Sequence, residues 1–342
     1  MAATYPFIDA CFRRPVPTTP IWIMRQAGRF LPEYQKVRGT VDFLTLCKTP
    51  ELATKVTLLP VDIIGVDAAI LFSDILIPLE PMGIPVAFEE KVGPVLGAVR
   101  DEKQIRALRA IDPERDVPFV LEAVRMIRKE VDGRVPLIGF SGAPFTLATY
   151  AVEGGTTKSF HNIKGLIYSR PKLADELMEK LGDAVIAYLN AQIAAGAQAV
   201  QIFDTWGGIL ADPEYVRFAL DPVKRIVAGL DRKDVPVIYY INNGSYLAHH
   251  MEGLNVDVVG IDWRQDIALA RKTFGKDKAV QGNLDPTVLF ASPDEIRRRT
   301  HHLLEEAGPE PGHIFNLGHG IMPQTPVENA LALVEAVHEF RR

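Results

Sequence analysis

The sequence predicts an α/β protein, a single (β/α)8 TIM barrel with its active site at the carboxyl ends of the strands, formed by residues 1–342 as one domain. Eight short apolar runs recur along the chain, and helical patterns fill the intervals between them. The runs are continuous rather than alternating, which is typical of parallel strands buried on both faces. No linker or charge block divides the chain, and such barrels commonly reach this length as one domain. A doubly wound sheet is the second possibility, but the sequence shows no obvious glycine-rich dinucleotide loop.

Each of the eight predicted strands ends in polar residues or glycine, where a connecting loop would begin. Alternation of these strands with helices gives βα units, and eight such units form a barrel. The predicted strands are Ile21–Met24, Ala68–Phe72, Pro136–Phe140, Ala199–Phe203, Pro236–Tyr240, Asp257–Ile261, Lys278–Gln281 and His313–Leu317.

Three helix starts carry capping sequences. In Thr49-Pro50-Glu51, the threonine is a capping residue, the proline takes the first helical position and the glutamate lies near the positive end of the helix dipole. Ser292–Glu295 and Thr325–Glu328 fit the capping box, in which the residue three positions on reaches back to the cap. Gly308 is placed to end the helix that follows Ser292. The apolar face of the first helix is expected at Leu52, Val56, Leu59 and Ile63.

The composition excludes several classes of protein. Lys and Arg total 38 against 43 Asp and Glu, a net charge of −5, which argues against non-specific nucleic-acid binding. Cys11 and Cys47 are far apart, so neither a disulfide framework nor a Cys-x-x-Cys metal site is expected. No apolar stretch has the length of a signal peptide core or a membrane span. We therefore expect a cytoplasmic protein with neither nucleic acid nor membrane as a partner.

Functional groups of a barrel lie where the strands end and the βα loops begin. These positions hold arginines, carboxylates, amides and one histidine, without a cysteine or a histidine pair at helical spacing. They are Arg25–Arg29, Ser73–Asp74, Ser141–Gly142, Asp204–Thr205, Asn242–Asn243, Asp262, Asn283 with Asp285, and His319.

Arginines are concentrated after the first predicted strand. Arg25 and Arg29 are four residues apart, and Arg38 follows shortly after. The forked guanidinium suits bidentate binding of carboxylates, although an exposed face with ion pairs gives the same spacing. Because Arg25 directly follows an apolar run, it should lie at the barrel mouth. Gly28 would let the backbone approach a ligand.

Asp74 ends a strongly apolar stretch, so it is either a helix N-cap or a desolvated functional group. Asp204, Asp262 and Asp285 carry the same ambiguity, and charge alone does not rank the four.

His319 stands between two glycines at the end of the last predicted strand, which favours exposure at a ligand surface over a structural role. Tyr150 is either a core aromatic or a phenol donor in the site, whereas packing is favoured for Trp206 and Trp263. In His249–His250 and His301–His302, adjacent placement should turn the rings to different sides of a helix, so metal binding is not expected.

Five sequence blocks resemble the uroporphyrinogen decarboxylase family. The first is long enough to be specific, and all five follow the family's order across nearly the whole chain. They are Met24–Tyr34, Leu71–Leu76, Gly142–Leu147, Gln281–Pro286 and Asn316–Gly320.

The resemblance implies a single (β/α)8 domain, a homodimer, and a lyase without metal or organic cofactor. The implied reaction converts the four acetate side chains of uroporphyrinogen III to methyl groups, giving coproporphyrinogen III in heme biosynthesis. By motif, Asp74, Arg25, Arg29 and Tyr150 would be catalytic, and Thr205 would keep a hydroxyl where some relatives have serine. The substrate-binding residues implied are Arg25, Gln26, Ala27, Gly28, Arg29, Arg38, Asp74, Tyr150, Thr205 and His319.

Two other functions fit such a scaffold. A corrinoid- or thiol-dependent methyltransferase is the nearest, but thiol activation uses zinc with cysteine and histidine ligands, and no cysteine follows Cys47. A non-catalytic tetrapyrrole carrier would tolerate loss of Asp74 while keeping the arginines, yet both are present. The proton donor of a decarboxylase stays open among Tyr150, His319 and a water molecule held by an arginine.

Overall fold

A parallel sheet of seven strands forms the centre of the molecule. The computed structural model describes residues 5–89 and 92–341, and within them the strand order is β1-β4-β5-β6-β7-β8-β9 with every neighbouring pair parallel. A two-stranded antiparallel hairpin, β2–β3, is inserted between β1 and β4. The strands are β1 (Ala69–Ile70), β2 (Val86–Glu89), β3 (Gly93–Leu96), β4 (Leu137–Gly142), β5 (Ala199–Asp204), β6 (Val237–Ile241), β7 (Val258–Gly260), β8 (Ala279–Gln281) and β9 (His313–Ile314).

The first predicted strand bonds to both edges of the sheet without becoming a regular strand. Ile21 forms a parallel bridge with Phe315, just beyond β9, and its carbonyl accepts from Asp67 N at 2.7 Å, just before β1. Trp22 N donates to Phe315 O at 3.3 Å, but the two amides after it bond to side chains instead. Ile23 N donates to Gln26 Oε1 and Met24 N to Asn316 Oδ1, both at 3.0 Å, so these amides are not available to a strand ladder.

Helices fill the intervals between the strands. Many begin with proline at the first or second position, where its missing N–H costs no hydrogen bond. The helices are α1 (Pro6–Cys11), α2 (Pro32–Arg38), α3 (Phe43–Lys48), α4 (Pro50–Ile63), α5 (Glu102–Ala107), α6 (Pro113–Asp116), α7 (Pro118–Glu130), α8 (Pro144–Glu153), α9 (His161–Ser169), α10 (Pro171–Ala195), α11 (Asp212–Tyr215), α12 (Asp221–Gly229), α13 (Ala248–Met251), α14 (Ile267–Phe274), α15 (Pro293–Ala307) and α16 (Val327–Glu339).

The capping predictions have mixed outcomes. Helix α4 begins at Pro50 as predicted, but the Thr49 hydroxyl donates to Thr45 O at 2.7 Å rather than capping it. Ser292 caps α15 by accepting from the Glu295 amide at 3.4 Å, but the capping box is incomplete, because the Glu295 carboxylate accepts from Arg298 and Arg299 instead. Gly308 follows the last residue of α15 with φ 75°. The capping box at Thr325 is wrong. Pro326 occupies the cap position of α16.

Buried apolar side chains form one cluster that extends from Phe7 to Val337. Every residue of β4, β5 and β6 is buried, as expected for parallel strands covered on both faces. Some polar side chains inside the sheet bond to one another: Trp22 Nε1 donates to Gln281 Oε1 at 2.9 Å. At the other end of the strands, Asp67 Oδ2 lies 2.8 Å from His338 Nε2 on α16. No helix within the described residues is long and apolar enough to cross a membrane.

Candidate active site

A cavity of about 460 Å³ opens where the carboxyl ends of the strands meet. This is the edge of the sheet at which the sequence predicts the functional groups. Of the site residues that the family resemblance implies, all but one line the cavity: Arg25, Gln26, Ala27, Gly28, Arg29, Asp74, Tyr150, Thr205 and His319. The exception is Arg38, whose guanidinium donates to the carbonyl of Val41 at 2.5 Å.

A tight turn positions the two cavity arginines. Arg25 adopts φ 64°, a left-handed conformation that non-glycine residues rarely take, and the Gln26 amide donates to Ile23 O at 2.8 Å. The buried Gln26 side chain holds this turn by donating to Ala68 O at 3.0 Å, in addition to accepting from Ile23 N. Gly28 is required sterically because a Cβ at this position would lie 2.6 Å from the carbonyl oxygen of Arg25. Gln26 and Gly28 therefore shape the site through the backbone.

Neither cavity guanidinium is neutralised by the protein. Arg25 and Arg29 are both exposed, and neither lies within 4.0 Å of a carboxylate anywhere in residues 5–89 and 92–341. Other arginines of the chain form such pairs, for example Arg217 with Asp175 at 2.7 Å. The guanidiniums of Arg25 and Arg29 are thus available to an anionic ligand.

Asp74 places a carboxylate in the same cavity. Its Oδ1 accepts from the Leu76 amide at 2.8 Å, a local turn rather than the cap of an α-helix. Burial raises the pKa of Asp74 from 3.8 to about 6, against the lowering effects of this hydrogen bond and of the Arg25 charge. The carboxyl group is therefore largely ionised at neutral pH, but poorly solvated.

Tyr150 and Thr205 reach the cavity from neighbouring elements. Tyr150 lies on α8 with its ring 6.0 Å from that of Trp206, and burial together with the Asp74 charge raises its pKa. Thr205 follows β5, next to the fully buried Asp204. Asp204 accepts from Thr146 Oγ1 at 2.7 Å and Tyr239 Oη at 3.0 Å, and burial raises its pKa to about 6.

The other two aspartates with ambiguous roles bond to nearby backbone. Asp262 accepts from Asn243 N at 2.5 Å and from Arg264 N at 2.8 Å. Asp285 accepts from the Thr287 amide at 2.8 Å, the same local turn that Asp74 makes. Neither lines the cavity, so of the four aspartates only Asp74 is placed there.

His319 lies in a loop with little room to move. A Cβ on Gly318 would lie 2.3 Å from Trp263 N, and Tyr240 Oη donates to the Gly318 carbonyl at 2.8 Å. Burial and, secondly, the Arg25 charge lower the pKa of His319 to about 4, so the ring is neutral at physiological pH. Its Nδ1 accepts from the Gly320 amide at 2.7 Å, which leaves the proton on Nε2 as a neutral donor.

The sequence predictions omit an aromatic wall of the cavity. Tyr34, Phe43 and Phe88 line it, and the rings of Phe43 and Phe88 are 4.7 Å apart. These residues lie on α2, α3 and the β2–β3 hairpin rather than at strand ends, so a search of strand ends does not find them. Trp206 and Trp263 were expected to pack rather than to line the site. The Trp206 ring lies 5.0 Å from that of Phe160, and neither of these two tryptophans lines the cavity.

The expectation for the first histidine pair is wrong in one respect. The rings of His249 and His250 do not diverge but lie 3.9 Å apart, and both approach Asp212. Helix α13 is only four residues long and follows a 3-10 turn, so regular helical spacing does not apply. The second pair does diverge: His301 faces the carbonyl of Ala336, and His302 faces Glu306.

The fold and the cavity define an α/β protein whose cavity, at the carboxyl ends of the strands, is suited to an anionic ligand. Comparison with known proteins agrees. The family model for uroporphyrinogen decarboxylase (URO-D) matches residues 3–340. The uroporphyrinogen decarboxylase of Geobacter metallireducens is 52% identical over 98% of both chains, and that of Syntrophotalea carbinolica 51% over 99% of both. The chain belongs to the uroporphyrinogen decarboxylase family, whose members are cofactor-independent carboxy-lyases.

Among solved structures, a methyltransferase from Methanosarcina mazei has a TM-score of 0.82 at 22% identity, and the match covers 98% of each chain. At this identity the similarity shows a common fold. It confirms the α/β class and the curled parallel sheet.

Proposed function

We propose that this chain converts uroporphyrinogen III to coproporphyrinogen III by decarboxylating its four acetate side chains, using the cavity that contains Asp74. Family membership over nearly the whole chain supports the reaction. The observation that supports the site is the combination, in one cavity, of a single poorly solvated carboxylate with two arginines that the protein leaves unpaired.

The cavity is complementary to a porphyrinogen. The substrate carries acetate and propionate carboxylates at its rim and four pyrrole N–H groups at its centre. Arg25 and Arg29 suit the rim carboxylates, and the neutral Nε2–H of His319 can donate to another. Asp74 suits the centre, because a carboxylate can accept several N–H groups at once. Aromatic side chains in the cavity lining suit the apolar faces of the rings.

The reaction needs an electron sink, and the pyrrole itself can serve. Protonation of the pyrrole α-carbon next to the carbon that carries the acetate side chain gives an iminium-like cation conjugated with that carbon. The carbon–carboxylate bond then breaks, CO₂ leaves, and the bonding electrons neutralise the ring as an exocyclic methylene. Protonation of this methylene carbon and loss of the ring-carbon proton give the methyl group. The sum is replacement of CO₂ by one proton at each acetate.

Asp74 stabilises the cation in this scheme. Its carboxylate is fixed in place by the Leu76 amide and is little solvated, so its interaction with developing positive charge is not weakened by water. Of the candidate proton donors, His319 is the weakest, because a neutral imidazole with a pKa near 4 is rarely protonated. Burial and the Asp74 charge raise the pKa of Tyr150, so the choice between Tyr150 and a water molecule held by an arginine stays open. Tyr150 lies near both Arg25 and Asp74, since these two charges perturb its pKa.

The architecture we propose is one closed barrel domain in which the segment from Ile21 supplies the eighth strand. Its hydrogen bonds to both Phe315 and Asp67, at the two sheet edges, support this closure. The homodimer and the cytoplasmic location stay predictions. Light scattering of the purified protein tests the first, and fractionation of the native cell the second.

The alternatives have less support. The methyltransferase of similar fold shares only 22% of its sequence with this chain. Thiol activation would need a zinc site with cysteine, and both Cys11 and Cys47 are buried outside the cavity. A non-catalytic carrier would not need an ionised carboxylate held at a desolvation cost beside the ligand.

Anaerobic incubation of chelator-treated protein with chemically reduced uroporphyrin tests the proposal. Products are oxidised and separated by their number of carboxyl groups. We expect a progression from eight carboxyl groups to four. Binding of the substrate with return of all eight carboxyl groups would refute the decarboxylase and favour the carrier.

A further inference from the structure

A second group of potential ligands lies outside the cavity. Asp212 begins α11, beyond β5, while His249 and His250 lie on α13, beyond β6. One ligand atom from each of the three residues lies within 4.8 Å of the other two. Within residues 5–89 and 92–341, this is the one group of three histidine, cysteine or acidic side chains with such spacing. None of its members lines the cavity.

The two imidazoles converge on one carboxylate oxygen. His250 Nε2 lies 2.8 Å and His249 Nε2 lies 3.4 Å from Asp212 Oδ2. For a tetrahedral ion with bonds of about 2.0–2.1 Å, neighbouring ligand atoms are about 3.3–3.4 Å apart. The His249 contact already has this separation, and the His250 contact would need to open by about 0.5 Å. Asp212 and His249 are exposed, so the side chains can make this change without repacking the core.

We propose that Asp212, His249 and His250 form a surface site for a divalent transition cation of the zinc, nickel or copper class. Two imidazoles and a carboxylate are borderline ligands, which favour these ions over magnesium and calcium. Water would complete the coordination sphere, because three protein ligands leave a tetrahedral site one position short.

A cation at this site would join two loops at the mouth of the sheet. The loop after β5 carries Thr205 and continues to Asp212, and the loop after β6 carries the two histidines. Tyr246 already connects these loops, since its hydroxyl donates to the carbonyls of Gly208, at 3.2 Å, and Leu210. The ion would add a second connection. Its role is therefore structural, and independent of the decarboxylation proposed above.

Zinc titration of the chelator-treated full chain tests the site. We expect saturable binding of one ion by calorimetry, a rise in Tm with zinc, and a four- or five-coordinate absorption spectrum when cobalt is substituted. Asp212→Ala and His250→Ala should each weaken zinc binding by at least about tenfold, or about 1.4 kcal/mol, and abolish the rise in Tm. Both should keep wild-type decarboxylation without added metal, which also shows that they fold.

The chain offers a matched control in its other adjacent histidine pair. His301 and His302 face different partners, Ala336 O and Glu306, so the double variant His301→Ala/His302→Ala should bind zinc as the wild type does. The proposal is overturned if the wild type shows no saturable binding, if His250→Ala binds as tightly as the wild type, or if the control variant loses the ion instead.

Discussion

Replacing Asp74 by asparagine separates the catalytic from the structural role of this residue. The amide keeps an oxygen to accept from the Leu76 N–H, so the local turn at 2.8 Å should persist while the charge is removed. Loss of one preorganised electrostatic interaction typically lowers kcat by about 10²–10³, equivalent to about 2.7–4 kcal/mol. We expect at least this loss for Asp74→Asn, because the charge would contact the developing cation directly.

The same substitution should increase stability. Raising the pKa of Asp74 from 3.8 to about 6 means that the ionised carboxylate destabilises the folded state by up to about 3 kcal/mol at neutral pH. Because the folded pKa is the higher one, the contribution of Asp74 to the stability of the wild type falls as pH rises from about 4 to about 6. Asp74→Asn lacks this loss. Its free energy of unfolding should therefore equal or exceed that of the wild type at neutral pH.

The assay pairs decarboxylation rate with urea unfolding, each followed against pH. Asp285→Asn is the matched control, since Asp285 makes the same turn with the Thr287 amide at 2.8 Å but lies outside the cavity. It should change kcat by less than about twofold and stability by less than about 0.5 kcal/mol. The reasoning is refuted if Asp74→Asn retains wild-type kcat, or if it loses activity and stability together.

Three further outcomes are expected. Arg29→Lys should raise KM by roughly 10- to 100-fold by removing a bidentate carboxylate contact. Arg38 lies outside the cavity, so Arg38→Lys should leave KM nearly unchanged. An equal rise in KM for both variants would indicate that Arg38 also contacts the substrate. Gly318→Ala should reduce activity, because its Cβ would lie 2.3 Å from the Trp263 backbone nitrogen. Gly165→Ala, which has open space around it, should keep full activity. Full activity of Gly318→Ala would contradict the packing described for this loop. The Asp67 carboxylate raises the pKa of His338 above 6.5, so the stabilisation from this pair is present at low pH and lost as pH rises through the folded pKa. The difference in free energy of unfolding between the wild type and His338→Gln, measured by denaturant titration, should therefore shrink over that pH range. An increase would contradict this.

The sequence predicts best two strands in the interior of the sheet. The predicted Ala199–Phe203 and Pro236–Tyr240 correspond to β5 and β6 to within one residue at each end. The first run, Ile21–Met24, is not a regular strand, because two of its amides bond to the side chains of Gln26 and Asn316. Such long-range side-chain competition has no local sequence signal. The sequence predictions omit the β2–β3 hairpin, because its residues are mostly half-buried or exposed and do not form a buried apolar run.

The site shows the same division between local and long-range signals. Asp74 and Thr205, predicted from their positions after apolar runs, line the cavity, whereas Asp262 and Asp285, predicted in the same way, do not. The aromatic wall was not predicted, since Phe43 and Phe88 come to the cavity from a helix and a hairpin. Charge could not distinguish Asp74 from Asp204. Only the three-dimensional structure shows that protein donors occupy both carboxylate oxygens of Asp204.

An anaerobic crystal structure of the protein with coproporphyrinogen III tests the central claim most directly, because it shows which group meets the centre of the macrocycle. We predict pyrrole nitrogens within about 3.2 Å of the Asp74 carboxylate oxygens, with side-chain carboxylates of the ligand on Arg25 and Arg29. A ligand bound with its nitrogens directed at other groups, and Asp74 left in contact with solvent, would contradict this account of the site.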